Sequence, residues 1–175
     1  LVDRMNQTIP VLPIQGAVVT FGTGISKAPV TTVYGLTDYT QDGLAEGMGR
    51  VSKSGGTTPM GLGMAEASAL LNDAQGDIAI IVFSDGEEYS PSTPALEAAN
   101  ALKEQFGDRI CLYTVFVGNK DKGRKLMSDL AAATTCGSAT SADELASADA
   151  MAAFVEKVFL EKAPAKPVAK PAPLP

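Results

Sequence analysis

The stretch "DIAIIVFSDG", residues 77–86, decides the fold of this chain. Six consecutive apolar residues occupy 78–83, most of them β-branched, and the polar turn Ser84-Asp85-Gly86 follows them. β-Branched residues favour strands. A strand that is apolar on both faces belongs in the middle of a sheet covered by helices. We therefore predict that 78–83 form the most buried strand of an α/β sheet.

Outward from this strand, the chain alternates between strand and helix patterns. "GAVVTFG" (16–22) and "VTTVYG" (30–35) are predicted strands, and the connection 23–29 with its glycine and proline permits an antiparallel hairpin. "RICLYTVFVG" and "GSAT" are further strands, separated by helical segments such as "TPALEAANALKEQFG" and "DKGRKLMSDLAAAT". Alternation at this spacing predicts parallel strands joined by right-handed crossovers. The expected fold is α/β and doubly wound, with a mostly parallel sheet, one antiparallel edge strand and helices on both faces.

Composition excludes several classes of function. The net charge of −6 and the pI near 4.6 argue against a nucleic-acid-binding protein, which needs a basic face. No apolar stretch approaches the roughly 20 residues of a membrane span. The absence of histidine removes histidine bases and ligands, so an expected metal would be a hard cation held by oxygen. The first residues do not have the pattern of a signal peptide, and from the start at Leu-Val-Asp we expect a chain processed or cut from something longer.

The chain changes character once, near its end. Residues 1–162 have the patterns of one globular domain, whereas 163–175 read "APAKPVAKPAPLP". Proline at this density favours a stiff, extended spacer. A frayed tail is an equally good interpretation. A spacer would suggest that another module or a surface follows the domain.

Two segments carry candidate ligands for a metal. Thr58-Pro59 precedes a helical run, and its simplest interpretation is a hydroxyl N-cap followed by a first-turn proline. Asp85-Gly86 is a common turn dipeptide. However, the helix that opens after Thr58 runs antiparallel to the next strand, so its N-terminus and Asp85 lie at the same edge of the sheet. A hydroxyl and a carboxylate in one crevice are ligands that Mg²⁺ accepts.

The two segments resemble those of the von Willebrand factor A-type domain. "GGTTPMGLGM", followed about twenty residues later by "IAIIVFSDGEE", is similar to two of the three loops that build the metal-ion-dependent adhesion site of that family. The resemblance places the family's threonine on Thr58, with Thr57 as the alternative, and its aspartate on Asp85. It implies Mg²⁺, or Ca²⁺ or Mn²⁺, as the cofactor and a carboxylate from a protein partner as an additional ligand.

The third loop of the family is absent from this chain. No Asp-x-Ser-x-Ser occurs, and "LVDRMNQTIP" resembles the end of the helix that follows that motif. The chain thus resembles a domain that lacks its first, central strand. We expect an open slot in the sheet, and weak cation binding by residues 1–175 alone.

Other acidic residues and the methionines have simpler interpretations. Glu87 and Glu88 could attract cations, but a solvated acidic loop is favoured. Asp38 and Asp42 could lie near the same edge as Asp85, and an N-cap role for Asp42 is the preferred interpretation. The following methionines are interpreted as core residues: Met48, Met60 and Met64.

The two cysteines are predicted to pair. Cys111 opens one predicted strand and Cys136 immediately precedes the next, so parallel pairing brings both to the edge opposite the metal crevice. The alternative is two buried thiols in a cytosolic protein. A disulfide would favour an oxidising, extracytoplasmic compartment.

No motif of a nucleophilic or phosphate-binding enzyme is present, so a non-catalytic protein is predicted. The favoured function is a binding module for metal-dependent adhesion or assembly. A structural interaction domain with a degenerate metal site is the alternative, and hydrolytic metal chemistry is disfavoured. The resemblance, the tail and the cysteines together suggest a bacterial envelope protein, in the periplasm or at the outer membrane, with a downstream peptidoglycan-binding module.

Overall fold

A computed structural model of the chain describes residues 1–22, 28–51, 55–89 and 93–161. Most of the predicted hairpin connection and the whole 163–175 tail lie outside these residues. The helices are α1 Val2–Thr8, α2 Gln41–Gly49, α3 Met60–Leu70, α4 Ala95–Phe106, α5 Asp121–Ala132 and α6 Ala148–Phe159. The strands are β1 Gln15–Phe21, β2 Val30–Asp38, β3 Ile78–Ser84, β4 Ile110–Phe116 and β5 Ser138–Ser141. In these parts of the chain, no helix is both long enough and apolar enough to cross a membrane.

Three strands form a parallel sheet in the order β3-β4-β5. β3 pairs with β4 along its whole length, from Ile78 opposite Ile110 to Ser84 opposite Phe116. β5 continues the sheet on the other side of β4, beginning with Ser138 opposite Tyr113. Helices α4 and α5 connect these strands, so the predicted strand–helix alternation is confirmed. We call the edge at which these strands end the carboxyl edge, and the opposite one the amino edge.

The two N-terminal strands form a separate antiparallel pair, β1-β2. Gln15 lies opposite Asp38 and Phe21 opposite Val30, with register shifts on either side of Val18. The predicted hairpin is therefore confirmed. Within the described residues, however, no strand pairing joins this pair to the three-stranded sheet.

Helices cover both faces of the three-stranded sheet. On one face, α3, α4 and α5 enclose a core that includes Met60, Leu102 and Met127. On the other face, α1 and α6 pack through Met5 and Phe154 against the opposite side of β4. The α/β fold with helices on both faces is confirmed.

β4, and not β3, is the most buried strand among those described. Every residue of β4 is buried, whereas four of the seven residues of β3 are exposed or half-buried, with Ala79 exposed. The prediction that 78–83 form the most buried strand is thus wrong. The physical reason is that β4 has a strand on each side, whereas β3 pairs with β4 alone in the part of the chain that the structure describes.

The methionine prediction is confirmed for two of the three residues. Met60 and Met64 on α3 are buried in the core, and Met48 on α2 is half-buried.

The predicted N-cap role of Asp42 is wrong, because α2 is capped by Thr40, whose hydroxyl accepts a hydrogen bond from the Gly43 N–H. Asp42 instead lies in the first turn of the helix.

Candidate functional site

Asp85 follows the last residue of β3 at the carboxyl edge, and it is held in a tight turn. The Asp85 Oδ1 atom accepts a 3.0 Å hydrogen bond from the Glu87 N–H. The Ser84 hydroxyl accepts a 3.1 Å hydrogen bond from the N–H of Gly86, whose φ is 68°. Positive φ favours glycine at this position. The turn interpretation of Asp-Gly is therefore confirmed, and the turn fixes the Asp85 carboxylate just beyond the strand end.

Thr58 lies next to the segment that follows Asp85. Its carbonyl oxygen accepts hydrogen bonds from the Met60 N–H at 2.9 Å and from the Tyr89 N–H at 3.2 Å. The second bond ties the start of α3 to the loop after β3. The backbone thus brings the Thr58 and Asp85 segments together at the carboxyl edge, although they are far apart in sequence.

The predicted helix cap at Thr58 is wrong. The N-cap residue of α3 is Pro59, and no side-chain hydrogen bond from that residue caps the helix. Thr58 lies one residue outside the helix and is half-buried, whereas Thr57 is exposed. A capping role therefore does not explain the Thr58 hydroxyl.

Glu88 performs the capping that the threonine was expected to perform. Its carboxylate accepts hydrogen bonds from the backbone N–H of Ala95, at 2.6 Å, and from that of Gly61. One side chain thereby satisfies a donor in the first turn of both α3 and α4. Burial raises the pKa of the Glu88 carboxyl, and these two hydrogen bonds partly oppose the shift. The interpretation of Glu88 as a solvated acidic residue is wrong.

The sequence contained a signal for this role. Both α3 and α4 open with Thr-Pro, and Pro59 and Pro94 are the N-cap residues, which offer no side-chain acceptor. One acidic side chain that reaches the first turns of both helices can cap both of them. The remaining glutamate of the pair, Glu87, is exposed as expected.

Lys120 adds a positive charge to the carboxyl edge. Its Nζ atom lies 2.6 Å from Glu87 Oε2. The Glu87 carboxylate, and to a smaller extent Asp85, raises the pKa of the Lys120 ammonium group. The carboxyl edge thus combines the Asp85 carboxylate, threonine oxygens and a lysine cation. Among residues 1–22, 28–51, 55–89 and 93–161, no group of three or more His, Cys, Asp or Glu side chains could hold a metal ion.

Two acidic residues predicted for this edge lie at the other one. The end of β1 lies at the carboxyl edge, since a Cβ on Gly22 would be 3.3 Å from the Thr57 carbonyl oxygen. Asp38 pairs with Gln15 at the other end of β1, because β2 runs antiparallel to β1. α2, with Asp42 in its first turn, begins directly after this strand end. The expectation that Asp38 and Asp42 lie near Asp85 is therefore wrong.

The cysteines form a disulfide at the amino edge. Cys111 and Cys136 are bonded, with their Cα atoms 5.1 Å apart. The bond joins β4 to the segment that enters β5. Both cysteines lie at the same edge because the two strands are parallel. The predicted pairing is confirmed.

Comparison with known proteins identifies the fold. No protein-family model and no curated protein sequence matches the chain. Among solved structures, a von Willebrand factor type A protein from Catenulispora acidiphila is similar with a TM-score of 0.58 and 19% identity, over 89% of this chain and 35% of that chain. Proximal thread matrix protein 1 from the mussel byssus is similar with a TM-score of 0.60 and 20% identity, over 90% of this chain and 38% of that chain. A second crystal form of the mussel protein gives 0.56 and 16% identity, over 90% and 40%.

These similarities show that the chain has the von Willebrand factor A-type fold. The chain spans between about a third and two fifths of the length of the structures that it matches.

Proposed function

We propose that this domain is a non-catalytic protein-binding module that contacts its partner at the carboxyl edge of the sheet, with help from a divalent cation. The observation that carries the proposal is the hydrogen bond from the Tyr89 N–H to the Thr58 carbonyl oxygen. This bond brings together the segments of Thr58 and Asp85, the two residues to which the resemblance assigns metal ligation. The partner would supply a carboxylate at an open coordination position.

Thr58 and Asp85 are ligands of the right type for a hard cation, but they are too few to fill its coordination shell. A carboxylate and a hydroxyl are oxygen ligands of the type that Mg²⁺, Ca²⁺ and Mn²⁺ prefer. Asp85 Oδ1 already accepts the Glu87 N–H, and Thr58 would supply only one oxygen. Two protein ligands leave most of a six-coordinate shell to water. Tight binding would therefore require ligands from outside residues 1–175.

A second candidate function is an interaction domain that uses no metal. Lys120 already places a cation at the carboxyl edge, 2.6 Å from the Glu87 carboxylate and close enough to Asp85 for its charge to matter. In this alternative the Lys120 ammonium group, in place of a metal ion, balances the negative charge of the acidic loop. The partner would then contact the surface directly.

We also propose an oxidising, extracytoplasmic location. The disulfide Cys111–Cys136 supports it, because such bonds persist mainly in oxidising compartments. The 163–175 tail, with its alternating proline, alanine and lysine, is suited to a spacer toward another module. A bacterial envelope protein with a peptidoglycan-binding module is the context that we propose for it.

Titration calorimetry of the full-length protein with Mg²⁺, Ca²⁺ and Mn²⁺ tests the cation. We expect Asp85→Asn to weaken binding about tenfold or more, because a neutral amide is a poorer ligand for a hard cation. Asp73→Asn is the matched control, since this exposed aspartate follows α3 at the amino edge. The 175-residue chain alone should bind each ion only weakly.

Two outcomes would contradict this assignment. Unchanged affinity in a folded Asp85→Asn protein would exclude Asp85 as a ligand. Tight binding by the 175-residue monomer would show that the site lies elsewhere. Lys120→Ala separates the two candidate functions, because it should strengthen cation binding at a metal site and weaken partner binding at a metal-free one.

A further inference from the structure

Residues 120–125, which we call the basic segment, concentrate positive charge at the carboxyl edge. The sequence "KDKGRK" holds four of the 14 lysine and arginine residues of the chain and only one acidic residue, whereas the chain as a whole has a net charge of −6. The segment includes the start of α5, directly after the loop that leaves β4. All four basic side chains are exposed: Lys120, Lys122, Arg124 and Lys125.

The basic segment packs directly against the turn that holds Asp85. A Cβ on Gly123 would clash with the Asp85 carbonyl oxygen, and a Cβ on Gly86 would clash with the Gly123 carbonyl oxygen. The two glycines therefore let the first turn of α5 touch the turn after β3. Lys122 and Arg124 flank Gly123 in sequence, so this contact places two cations beside the Asp85 turn.

Two of the four basic side chains are available to a partner. Lys120 is paired with Glu87, and the Lys125 Nζ atom lies 2.6 Å from Asp129 Oδ2. Lys122 and Arg124 form no ion pair in the described part of the chain.

The guanidinium group of Arg124 is already held in place. Its central carbon lies 4.6 Å from the centre of the Phe116 ring, at the end of β4. A cation on an aromatic face is attracted to it. Because the side chain is positioned in advance, it loses less entropy when it binds a partner.

Exposed apolar side chains surround the same turn. Tyr89 is 65% exposed and Val117 is 47% exposed. The Val117 N–H bonds the Ser84 carbonyl oxygen at 2.8 Å, and the Tyr89 N–H bonds that of Thr58, so the two residues lie on either side of Asp85. Isolated apolar residues are common on protein surfaces, whereas a group of them marks an interaction site.

This combination of side chains defines the partner. Lysine and arginine bind carboxylates, and tyrosine is enriched where interfaces bury apolar groups. A segment with acidic residues next to apolar ones would satisfy both kinds of side chain. A purely acidic polymer would leave Tyr89 and Val117 uncovered, and the Asp85 carboxylate would repel it.

We infer that the carboxyl edge binds an acidic and apolar peptide segment of a partner protein. Lys122 and Arg124 bind its carboxylates, and Tyr89 and Val117 cover its apolar side chains. The inference rests on the proposed function for the place of binding, but it does not require a cation. These contacts therefore persist when divalent cations are removed.

Selection from a random peptide library displayed on phage, against the immobilised full-length protein in EDTA, tests the inference. We expect the selected peptides to combine Asp or Glu with Tyr, Phe or Leu. Fluorescence anisotropy with a synthetic selected peptide then measures affinity. Lys122→Glu should weaken binding about tenfold or more, because it replaces attraction by repulsion. Lys157→Glu is the matched control, since this exposed lysine lies in the last turn of α6.

A second pair of variants tests the apolar contact. Tyr89→Ala should weaken binding of the same peptide about tenfold. Leu160→Ala is its control, because Leu160 is also exposed but follows the end of α6. Circular dichroism establishes that all four variants are folded. Binding should also weaken as salt is raised, since the contacts with Lys122 and Arg124 are ionic.

Several outcomes would overturn the inference. These are a selection that yields no acidic peptides, equal affinity of Lys122→Glu and Lys157→Glu for the peptide, and equal affinity of Tyr89→Ala and Leu160→Ala. Polyglutamate that binds as tightly as the selected peptide would show that charge alone is recognised.

The same measurements separate this inference from the proposed cation site. Peptides that bind only with Mg²⁺, and that lose affinity in Asp85→Asn but not in Lys122→Glu, would support the cation and overturn the inference. Peptides that bind in EDTA and are lost in Lys122→Glu support the inference even if calorimetry detects no cation.

Discussion

β3 and β4 are neighbouring parallel strands of equal length and similar composition, yet they differ in burial. The two strands pair at seven consecutive positions, from Ile78–Ile110 to Ser84–Phe116. All of β4 is buried, whereas β3 leaves Ala79 exposed and several residues half-buried. β4 has β5 on its far side, whereas β3 borders a cavity of about 490 Å³ that β1 also lines. The burial of a strand thus depends on both of its neighbours and not only on its own apolar sequence.

The same contrast divides the molecule into a closed and an open part. The closed part contains β4, β5, the disulfide and the helices α4 and α5. The open part contains the β1-β2 pair and the edge of β3 that has no paired strand among the described residues. The site candidates Thr58 and Asp85 lie between them, at the carboxyl edge. Stability should accordingly be concentrated in the closed part.

Truncation of matched aliphatic side chains gives the largest expected effect. We expect Leu112→Ala on β4 to lower the free energy of unfolding by about 3–4 kcal/mol, because the residue is fully buried and leaves a cavity. Ile80→Ala on β3 should cost about 1 kcal/mol, since this half-buried side chain borders the cavity between β1 and β3. Urea unfolding measures both values. Equal costs of the two substitutions in the 175-residue chain would contradict the proposed difference between β3 and β4.

Reduction of the disulfide should give the next largest effect. Cys111 and Cys136 are 25 residues apart, and opening a loop of this length costs about 3 kcal/mol in the chain-entropy model. We expect a reducing agent to lower the midpoint of urea unfolding of the wild-type protein. A variant with both cysteines replaced by alanine is the control and should not respond. Two free thiols in the unreduced, denatured protein would contradict the bond.

The cap at Glu88 should give the smallest effect, and it depends on pH. Glu88→Ala removes an acceptor from the first turns of α3 and α4 and should cost about 1 kcal/mol. The pKa of Glu88 is raised in the folded protein from the ordinary 4.5, so the folded state binds the proton more tightly. The contribution of this group is therefore fully present below pH 4.5 and declines as the pH rises through the folded-state pKa.

Urea unfolding of the wild type and of Glu88→Gln, at several pH values, measures this dependence. The stability of the wild type relative to Glu88→Gln should fall with rising pH, because glutamine accepts hydrogen bonds but does not titrate. Glu87→Gln is the control, since Glu87 is the exposed neighbour. A difference that stays constant with pH would contradict the assignment.

Much of the fold could be predicted because its signals are local. The apolar run 78–83, the hairpin strands and the strand–helix alternation predicted the elements and the parallel sheet. The disulfide followed from them, because Cys111 and Cys136 stand at the starts of adjacent parallel strands. The shared edge of Thr58 and Asp85 followed in the same way, from the direction of the crossover helix.

Interactions between distant segments could not be predicted with the same success. The capping of α2 by Thr40 instead of Asp42 depends on where the helix begins, which sequence patterns locate only to within a few residues. The capping of two helices by Glu88 requires that the first turns of α3 and α4 meet at one point. Asp38 was assigned to the wrong edge although the predicted antiparallel direction of β2 already places the end of that strand opposite the start of β1.

By itself, the sequence determined the fold class, the order of the elements, the paired cysteines and the residues that are candidates for a site. Only the tertiary structure decided that β4 is the most buried strand and that Glu88 caps two helices. Local patterns set the conformation of a segment through its own side chains and backbone. Burial and hydrogen bonding between segments depend on which neighbours they meet, and only the folded chain supplies those neighbours.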